Sequence, residues 1–323
     1  MRRGKKMTYV KNVFELCGNT PVVKLNNLSS YHNVYLKLES FNPGKSIKDR
    51  PVLEMLNEAE RVGKLKSGMT VVESTSGNTG IALALYAKKK GYRVICVADE
   101  NIPKEKLNLL KAYGAEVRMI EGSMEVKNAD LTEYRIQYIQ DLIKRNDNYI
   151  NLSQYDNEMN PYAHQRSTAQ EILQQIDETT KAIVISVGTG GTITGISREI
   201  KKRKPDILIY GVEPEGSTLF GGERAPYLQQ GPGNYFKPKI FDPTHVDSYE
   251  KVSDYNAFKT ARNLAKKEGL LLGGSSGAVV YAAMKLGNYF KDSGSVMAVC
   301  PDNGTKYLDT IFNEQWLAKH NLL

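Results

Sequence analysis

Residues 39–50 read Glu-Ser-Phe-Asn-Pro-Gly-Lys-Ser-Ile-Lys-Asp-Arg, with two lysines three positions apart and a Gly44-Lys45-Ser46 run. Three chemistries are open to such a stretch: a nucleotide phosphate loop, a solvated basic turn, or the seat of a reactive amine. A phosphate loop needs a further glycine five residues before Gly44, so that backbone can wrap the phosphates. That position is Glu39, whose carboxylate would repel them, and Pro43 removes a backbone donor. The turn and the reactive amine remain, to be separated by residues elsewhere in the chain.

Two further loops could bind anions. In "ISVGTGGTITG", Gly188, Gly190 and Gly191 let backbone N–H groups converge at a helix N-terminus, and Thr189 and Thr192 add hydroxyl donors. A dinucleotide fingerprint would need glycine where Ile193 stands, so the nest suits a single phosphate monoester. In "ESTSGNTGIALA", Thr75, Ser76, Asn78 and Thr79 cluster around Gly77, in a pattern fit for the carboxylate of an amino acid. A helix cap alone would use one such side chain. A third stretch, "LLLGGSSGAVVYAA", enters a helix with Ser275 and Ser276 at its mouth; read alone, it is equally a cap.

These loops must be positioned by a scaffold, and the hydrophobic pattern supplies one. Apolar runs such as "NVYLKLES", "TVVEST", "RVICVAD", "AIVISV", "ILIYGVEPE" and "SVMAVCP" alternate with amphipathic segments such as "DRPVLEMLNEAERVG", "NTGIALALYAKKKG" and "TITGISREIKKR". The alternation predicts parallel sheets covered by helices on both faces. A helix is expected to hold "YLDTIFNEQWLAK". Residues 210–243 are rich in Gly and Pro, and a loop that long in a compact domain points to function. In open α/β sheets, ligands collect at the C-terminal ends of strands, so the loops should converge.

Composition narrows the classes. The chain has 323 residues, 41% hydrophobic and 25% charged, enough for one large or two moderate domains. It has no apolar run of the ~18 residues a membrane span needs, and no secretory signal pattern at its basic start. Met7 offers an alternative start. Three widely spaced cysteines and four unclustered histidines argue against a disulfide framework and a metal site, and fit a reducing cytoplasm. The net charge of +8 is spread along helices without interleaved aromatics, so no nucleic acid partner is expected. It would instead attract small anionic substrates.

A phosphate nest, a carboxylate loop and a candidate reactive lysine together suggest pyridoxal phosphate. The chain resembles the fold-type II family of cysteine synthases and cystathionine β-synthases. Asn-Pro-x-x-Ser-x-Lys-Asp-Arg, Thr-Ser-Gly-Asn-Thr-Gly, Gly-Thr-Gly-Gly-Thr and Gly-Gly-Ser-Ser-Gly occur in that order, between "GNTPVVKL" and "CPDNGTKYLD". The resemblance implies an α/β fold of two three-layer α/β/α domains with mostly parallel sheets, like the β subunit of tryptophan synthase. Residues 41–157 would form a smaller, mobile, substrate-side domain. Residues 8–40 and 158–323 would form a larger one holding the cofactor phosphate, with residues 1–7 disordered.

By the same resemblance, Lys48 is the covalent anchor of the cofactor and the general base, and Lys45 is solvated. Asn78 bonds the ring hydroxyl, Gly188, Thr189, Gly190, Gly191 and Thr192 hold the phosphate, and Ser275 faces the pyridine nitrogen. A serine there leaves that nitrogen largely unprotonated, a weaker electron sink that suits elimination at Cβ. Thr75, Ser76, Gly77, Thr79 and Gln154 match positions that bind the substrate carboxylate. The implied activity is β-replacement or β-elimination on cysteine or an O-activated serine, with sulfide or a thiol leaving or adding, in a cytoplasmic homodimer. Joining phosphoserine to glutamate, dehydrating serine or threonine, and a silent binding module are the alternatives. One loop departs from the family's frequent Gly-Ile-Gly: "GPGNYF", from Gly231. Asn234 there either sets a polar group near Cβ or caps the turn. In the first case Asn234→Asp should promote hydration to serine.

Overall fold

A computed structural model describes residues 9–30, 33–75, 77–100, 102–120 and 131–323. The expectations for residues 1–7 and for Ser76 lie outside the described residues. Ten strands are present among the described residues: β1 (Val22–Lys24), β2 (Val34–Leu38), β3 (Thr70–Ser74), β4 (Arg93–Asp99), β5 (Glu116–Ile120), β6 (Tyr149–Ile150), β7 (Thr180–Ser186), β8 (Leu208–Pro214), β9 (Ser248–Val252) and β10 (Ser295–Cys300).

They form a six-stranded sheet, β1-β2-β10-β7-β8-β9, and a four-stranded sheet, β5-β4-β3-β6. Every pairing is parallel except β1 with β2. Strands covered on both faces should read as unbroken apolar runs. β10 and β3 are buried at every residue, and β7 and β4 nearly so. Separate apolar cores fill the two layered units. One joins Leu36, Val184, Ala298 and Phe258; another joins Val71, Cys96, Leu56 and Ile81.

The four-stranded sheet falls within residues 70–150, and the larger sheet draws on chain before and after it. This crossing of the chain brings the loops after β3, β7 and β10 around shared cavities.

Two sequence expectations need revision, and strand β9 was not foreseen. The expected helix over "YLDTIFNEQWLAK" is interrupted: a short 3-10 turn, Gly304–Tyr307, precedes a separate helix, Glu314–Lys319. Asn313 starts the latter, its side chain accepting from the Trp316 N–H at 3.0 Å. The glycine-serine stretch that opens the helix Gly274–Phe290 follows no sheet strand, only a single bridge from Leu272 to Asn303. Strand β9, "SYEKV", lacked a clear signal because it is an exposed, polar sheet edge.

Candidate active site

Lys48 stands at the N-terminus of the helix Asp49–Arg61, at the end of a tight turn. Lys45 takes φ +61°, a left-handed backbone that turns its exposed side chain away. Gly44 donates its N–H to Asp49 Oδ2 at 2.6 Å, and a Cβ on Gly44 would lie 2.4 Å from Asp49 Oδ1. Tyr86 donates to the same carboxylate oxygen at 3.0 Å. The turn also docks on the end of β10, with Ile47 N–H donating to Pro301 O at 2.8 Å. Burial pulls the Lys48 ammonium down to about 8, partly opposed by Asp302.

Beneath this helix lies a buried charge cluster for which the sequence reading had no role. Arg50 donates to Glu39 from Nε at 2.7 Å and from Nη2 at 2.9 Å, and to Glu171 from Nη1 at 2.7 Å. Lys37 donates to Glu171 Oε2 at 2.7 Å. Burial alone would raise Glu171, yet Arg50 and Lys37 hold it at about 2. Burial would lower Arg50, but Glu39 and Glu171 hold it above its usual range. Both ends of the Glu39-to-Arg50 stretch are therefore spent on fixing the turn.

The Gly188-to-Thr192 loop follows β7 and enters the helix Gly191–Arg203. Gly190 has φ +87°, and a Cβ there would lie 2.5 Å from that of Phe241. A Cβ on Gly188 would meet Gly231 O at 2.3 Å, so the loop needs glycine where the 215–247 segment crosses it. Thr192 Oγ1 lies 3.2 Å from His164 Nε2, and His164 Nδ1 lies 2.9 Å from Thr168 Oγ1. Burial, reinforced by Lys48 and Arg50, keeps this imidazole well below 6.5 and so neutral. Sequence reading missed His164, since "YAHQRST" carries no ligand spacing.

At the other junction Thr75 acts as a cap, its hydroxyl accepting from Gly77 N–H at 3.2 Å and Gly80 N–H at 3.1 Å. Thr79 donates to Gln154 Oε1 at 2.7 Å, and Gln154 donates to Ser74 O at 3.0 Å. Asn78 is gripped at both ends: Nδ2 donates to Asp302 Oδ2 at 2.8 Å, and Oδ1 accepts from Lys306 Nζ at 2.6 Å. Tyr307 donates to Asp302 Oδ2 at 2.6 Å. Asn234 donates from Nδ2 to Gly188 O at 2.9 Å, tying the 215–247 segment to the glycine loop.

Two cavities open on one another through Lys48, Asn78, Thr189 and Gly231, which line both. The inner one adds Gly188, Gly190, Thr192 and Ser275, between apolar walls of Ile47, Ile185 and Val299. The outer, of roughly 680 Å³, adds Thr75, Gly77, Thr79, Gln154 and Asn234. Every described residue expected at the site thus lines one cavity or the other, except Gly191, whose place is the helix N-terminus behind them. The outer cavity also holds Lys106, Arg135, Tyr307, Trp316 and His320, none of which was foreseen. Arg135 is paired with Asp99.

Residues 13–302 match the family model described as "Pyridoxal-phosphate dependent enzyme". A cysteine synthase from Staphylococcus aureus (strain Mu50 / ATCC 700699) is 43% identical over 305 residues, covering 93% of this chain and 96% of its own. The crystal structure of an O-ureido-L-serine synthase superposes with a TM-score of 0.89 at 33% identity, covering 96% of this chain and 100% of that one. That of the O-acetylserine dependent cystathionine β-synthase from Helicobacter pylori superposes at 0.86 with 36% identity, covering 94% and 99%.

Proposed function

Because the chain belongs to the family of pyridoxal-phosphate dependent enzymes, we propose that the inner cavity holds pyridoxal phosphate and the outer one an amino acid exchanged at Cβ. The reaction is β-replacement or β-elimination on cysteine or an O-activated serine, with sulfide or a thiol leaving or adding. The observation that carries this reading is the place of Lys48, an amine of lowered proton affinity opening on both cavities.

The residues fit the cofactor. Apolar walls suit the faces of a flat ring, and the N-terminus of the helix Gly191–Arg203 with Thr189 and Thr192 suits a phosphate. Asn78 and Ser275 offer an amide and a hydroxyl to the ring's polar edge. When bound, pyridoxal phosphate supplies an electron sink that acidifies the Cα proton and labilises the bond from Cβ to its substituent.

The protein's own part is positioning and proton transfer. Lys48 Nζ is the anchoring amine and, once free, takes the proton from Cα; its affinity near 8 suits a base working close to neutrality. Asp302 and Lys306 fix the amide of Asn78. With its proton on Nε2, His164 would donate to Thr192 and leave that hydroxyl free to donate to the phosphate. The helix N-terminus at Asn78 and Thr79, with the Gln154 amide behind it, receives the substrate carboxylate. Residues 41–157 act in this reading as the smaller unit that closes over substrate, in a homodimer; three unpaired cysteines fit a reducing cytoplasm.

A panel of cysteine, O-acetylserine, O-phosphoserine and serine, each with and without sulfide or a thiol, tests the reading. Exchange at Cβ is expected for at least one sulfur or O-activated donor. Lys48→Ala should lower it by more than about 10⁴-fold, the upper end for a single acid–base group, while Lys45→Ala changes little. Pyruvate from serine alone would point to a dehydratase instead.

A further inference from the structure

Lys106 lies on the helix Lys104–Ala112, whose buried residues are Lys106 and Leu110, one helical turn apart. The lysine is only 3% exposed, yet it lines the outer cavity. Its partners are neutral: Nζ donates to Gln230 Oε1 at 2.6 Å and sits 4.6 Å from the centroid of the Tyr307 ring. Among the described residues no carboxylate forms a salt bridge with it. The acid that influences it, Asp302, is already engaged by Asn78, Tyr307 and Lys306. Burial lowers the Lys106 ammonium to about 8, and Lys306 adds to the effect.

A buried ammonium facing an amide oxygen and a ring is only partly compensated for its lost water. Arg135, another cation lining this cavity, is held by Asp99. Gln230 directly precedes Gly231, which both cavities share, so Lys106 reaches across to the loop that borders the reacting end. The neutral ester of O-acetylserine presents no standing anion to such a cation. A phosphate or a second carboxylate does, and accepts a charge-assisted hydrogen bond.

We propose that Lys106, flanked by Gln230 and Tyr307, is the receptor for a second anionic group, the phosphate or carboxylate carried by whatever leaves from or adds to Cβ. This deepens the function proposed above and rests on it. Lys106 is thereby a specificity residue, separate from the Thr75-to-Thr79 loop that takes the carboxylate of the amino acid itself.

The test compares kcat/KM for O-phosphoserine against O-acetylserine, both with sulfide, and for homocysteine against 2-mercaptoethanol, both with O-acetylserine. The holoenzymes are wild type, Lys106→Met, Lys106→Arg and Gln230→Glu. Lys106→Met removes the charge; Gln230→Glu sets a permanent carboxylate beside it from a half-buried loop position. In both, one anion-to-neutral ratio should fall about ten- to hundredfold, the range for a lost charge-assisted hydrogen bond, while Lys106→Arg keeps most of it. The ratio that falls tells whether the anion is on the leaving group or the nucleophile. Ratios unchanged in both variants overturn the proposal; because they are taken within one variant, a general loss of folded enzyme cancels. Should wild type turn over no donor, the functional reading fails, and binding tests the subsite alone. Inorganic phosphate should then give a saturable change in the fluorescence of Trp316, the one tryptophan, weakened by Lys106→Met and Gln230→Glu. A wild type with no such change, or variants responding equally, overturns the subsite.

Discussion

Two sites of the molecule, one on the helix that begins after Lys48 and one on the helix Lys104–Ala112, hold cations in near-equal burial and opposite circumstances. Arg50, 4% exposed, faces Glu39 and Glu171; Lys106, 3% exposed, faces an amide and a ring. Burial opposes the charged form at both. Counter-ions decide the outcome: Arg50 is held charged, whereas Lys106 and Lys48 fall to about 8. Lys37 lies between, lowered by burial yet still paired with Glu171. The two buried amines that fall to about 8, Lys106 and Lys48, are ones that no carboxylate holds in a salt bridge among the described residues. Theirs is the cavity side, and the paired side is the foundation of the lysine turn.

Breaking the paired side should have the largest effect on stability. Arg50→Met leaves Glu39 and Glu171 without their main partner and should cost about 3–5 kcal/mol, as removal of one member of a buried ion pair does. Chemical denaturation checks this. A loss within about 1 kcal/mol would mean the cluster contributes no more than a surface pair.

The next test contrasts the two sides by pH. Glu171, at about 2 when folded against an ordinary 4.5, contributes stability that is complete above 4.5 and lost as the pH falls toward 2. Lys106 runs the other way: near 8 when folded against 10.5, it costs stability in full below about 8, and the cost fades as the pH rises to 10.5. Lys106→Met should therefore melt higher than wild type at pH 7, with the gap closing between pH 8 and 10.5. A gap constant in pH would show that packing, not charge, separates the two proteins.

Thr192→Ala probes the neutral polar network around the glycine loop. Loss of one hydrogen bond to a charged phosphate, about 1.5–3 kcal/mol, should weaken cofactor retention roughly ten- to hundredfold, measured by equilibrium titration of pyridoxal phosphate into stripped protein. Unchanged affinity would reduce this loop to a structural turn.

What the sequence disclosed divides along the same line. The loops were legible because glycines, hydroxyls and strand-helix junctions are local signals, and the parallel sheets because β4 and β10 carry apolar runs of five residues, Val94–Ala98 and Val296–Cys300. Residue types alone did not separate Lys48 from Lys45; the family resemblance did, and the structure supplies the cause in the left-handed turn at Lys45. The paired cluster was invisible because Glu171 lies 121 positions from Arg50, and ion pairs at that separation leave no periodic trace. Lys106 did leave one: its i,i+4 relation to Leu110 marks a buried face, but it was hidden among the solvated lysines of "PKEKLNLLKAYG". His164 and Asp302 act through other side chains, a role that no spacing encodes.

The smallest effect is expected at Asn234. From sequence its amide could lie near Cβ or brace a turn. The structure gives it a definite bond, Nδ2 donating to Gly188 O at 2.9 Å, while its backbone carbonyl accepts from Thr218 N–H at 3.0 Å and Ser217 Oγ at 3.1 Å. Asn234→Ala removes one neutral hydrogen bond, worth about 1 kcal/mol, so cofactor affinity should fall roughly fivefold. Asn234→Asp removes the same donor and sets a carboxylate against the Gly188 carbonyl, so it should fall at least as far. Neither should change the proportion of serine to thioether formed from cysteine. A carboxylate within reach of Cβ would instead act as a base toward water, a contribution of about 10²–10⁴-fold, and serine would rise in Asn234→Asp alone. Measuring cofactor affinity and product ratio on both variants decides the matter. A joint loss of affinity at constant ratio assigns Asn234 to the brace between the 215–247 segment and the glycine loop. A serine excess confined to Asn234→Asp would move it to the reacting end of the outer cavity, next to the loop that Lys106 holds through Gln230.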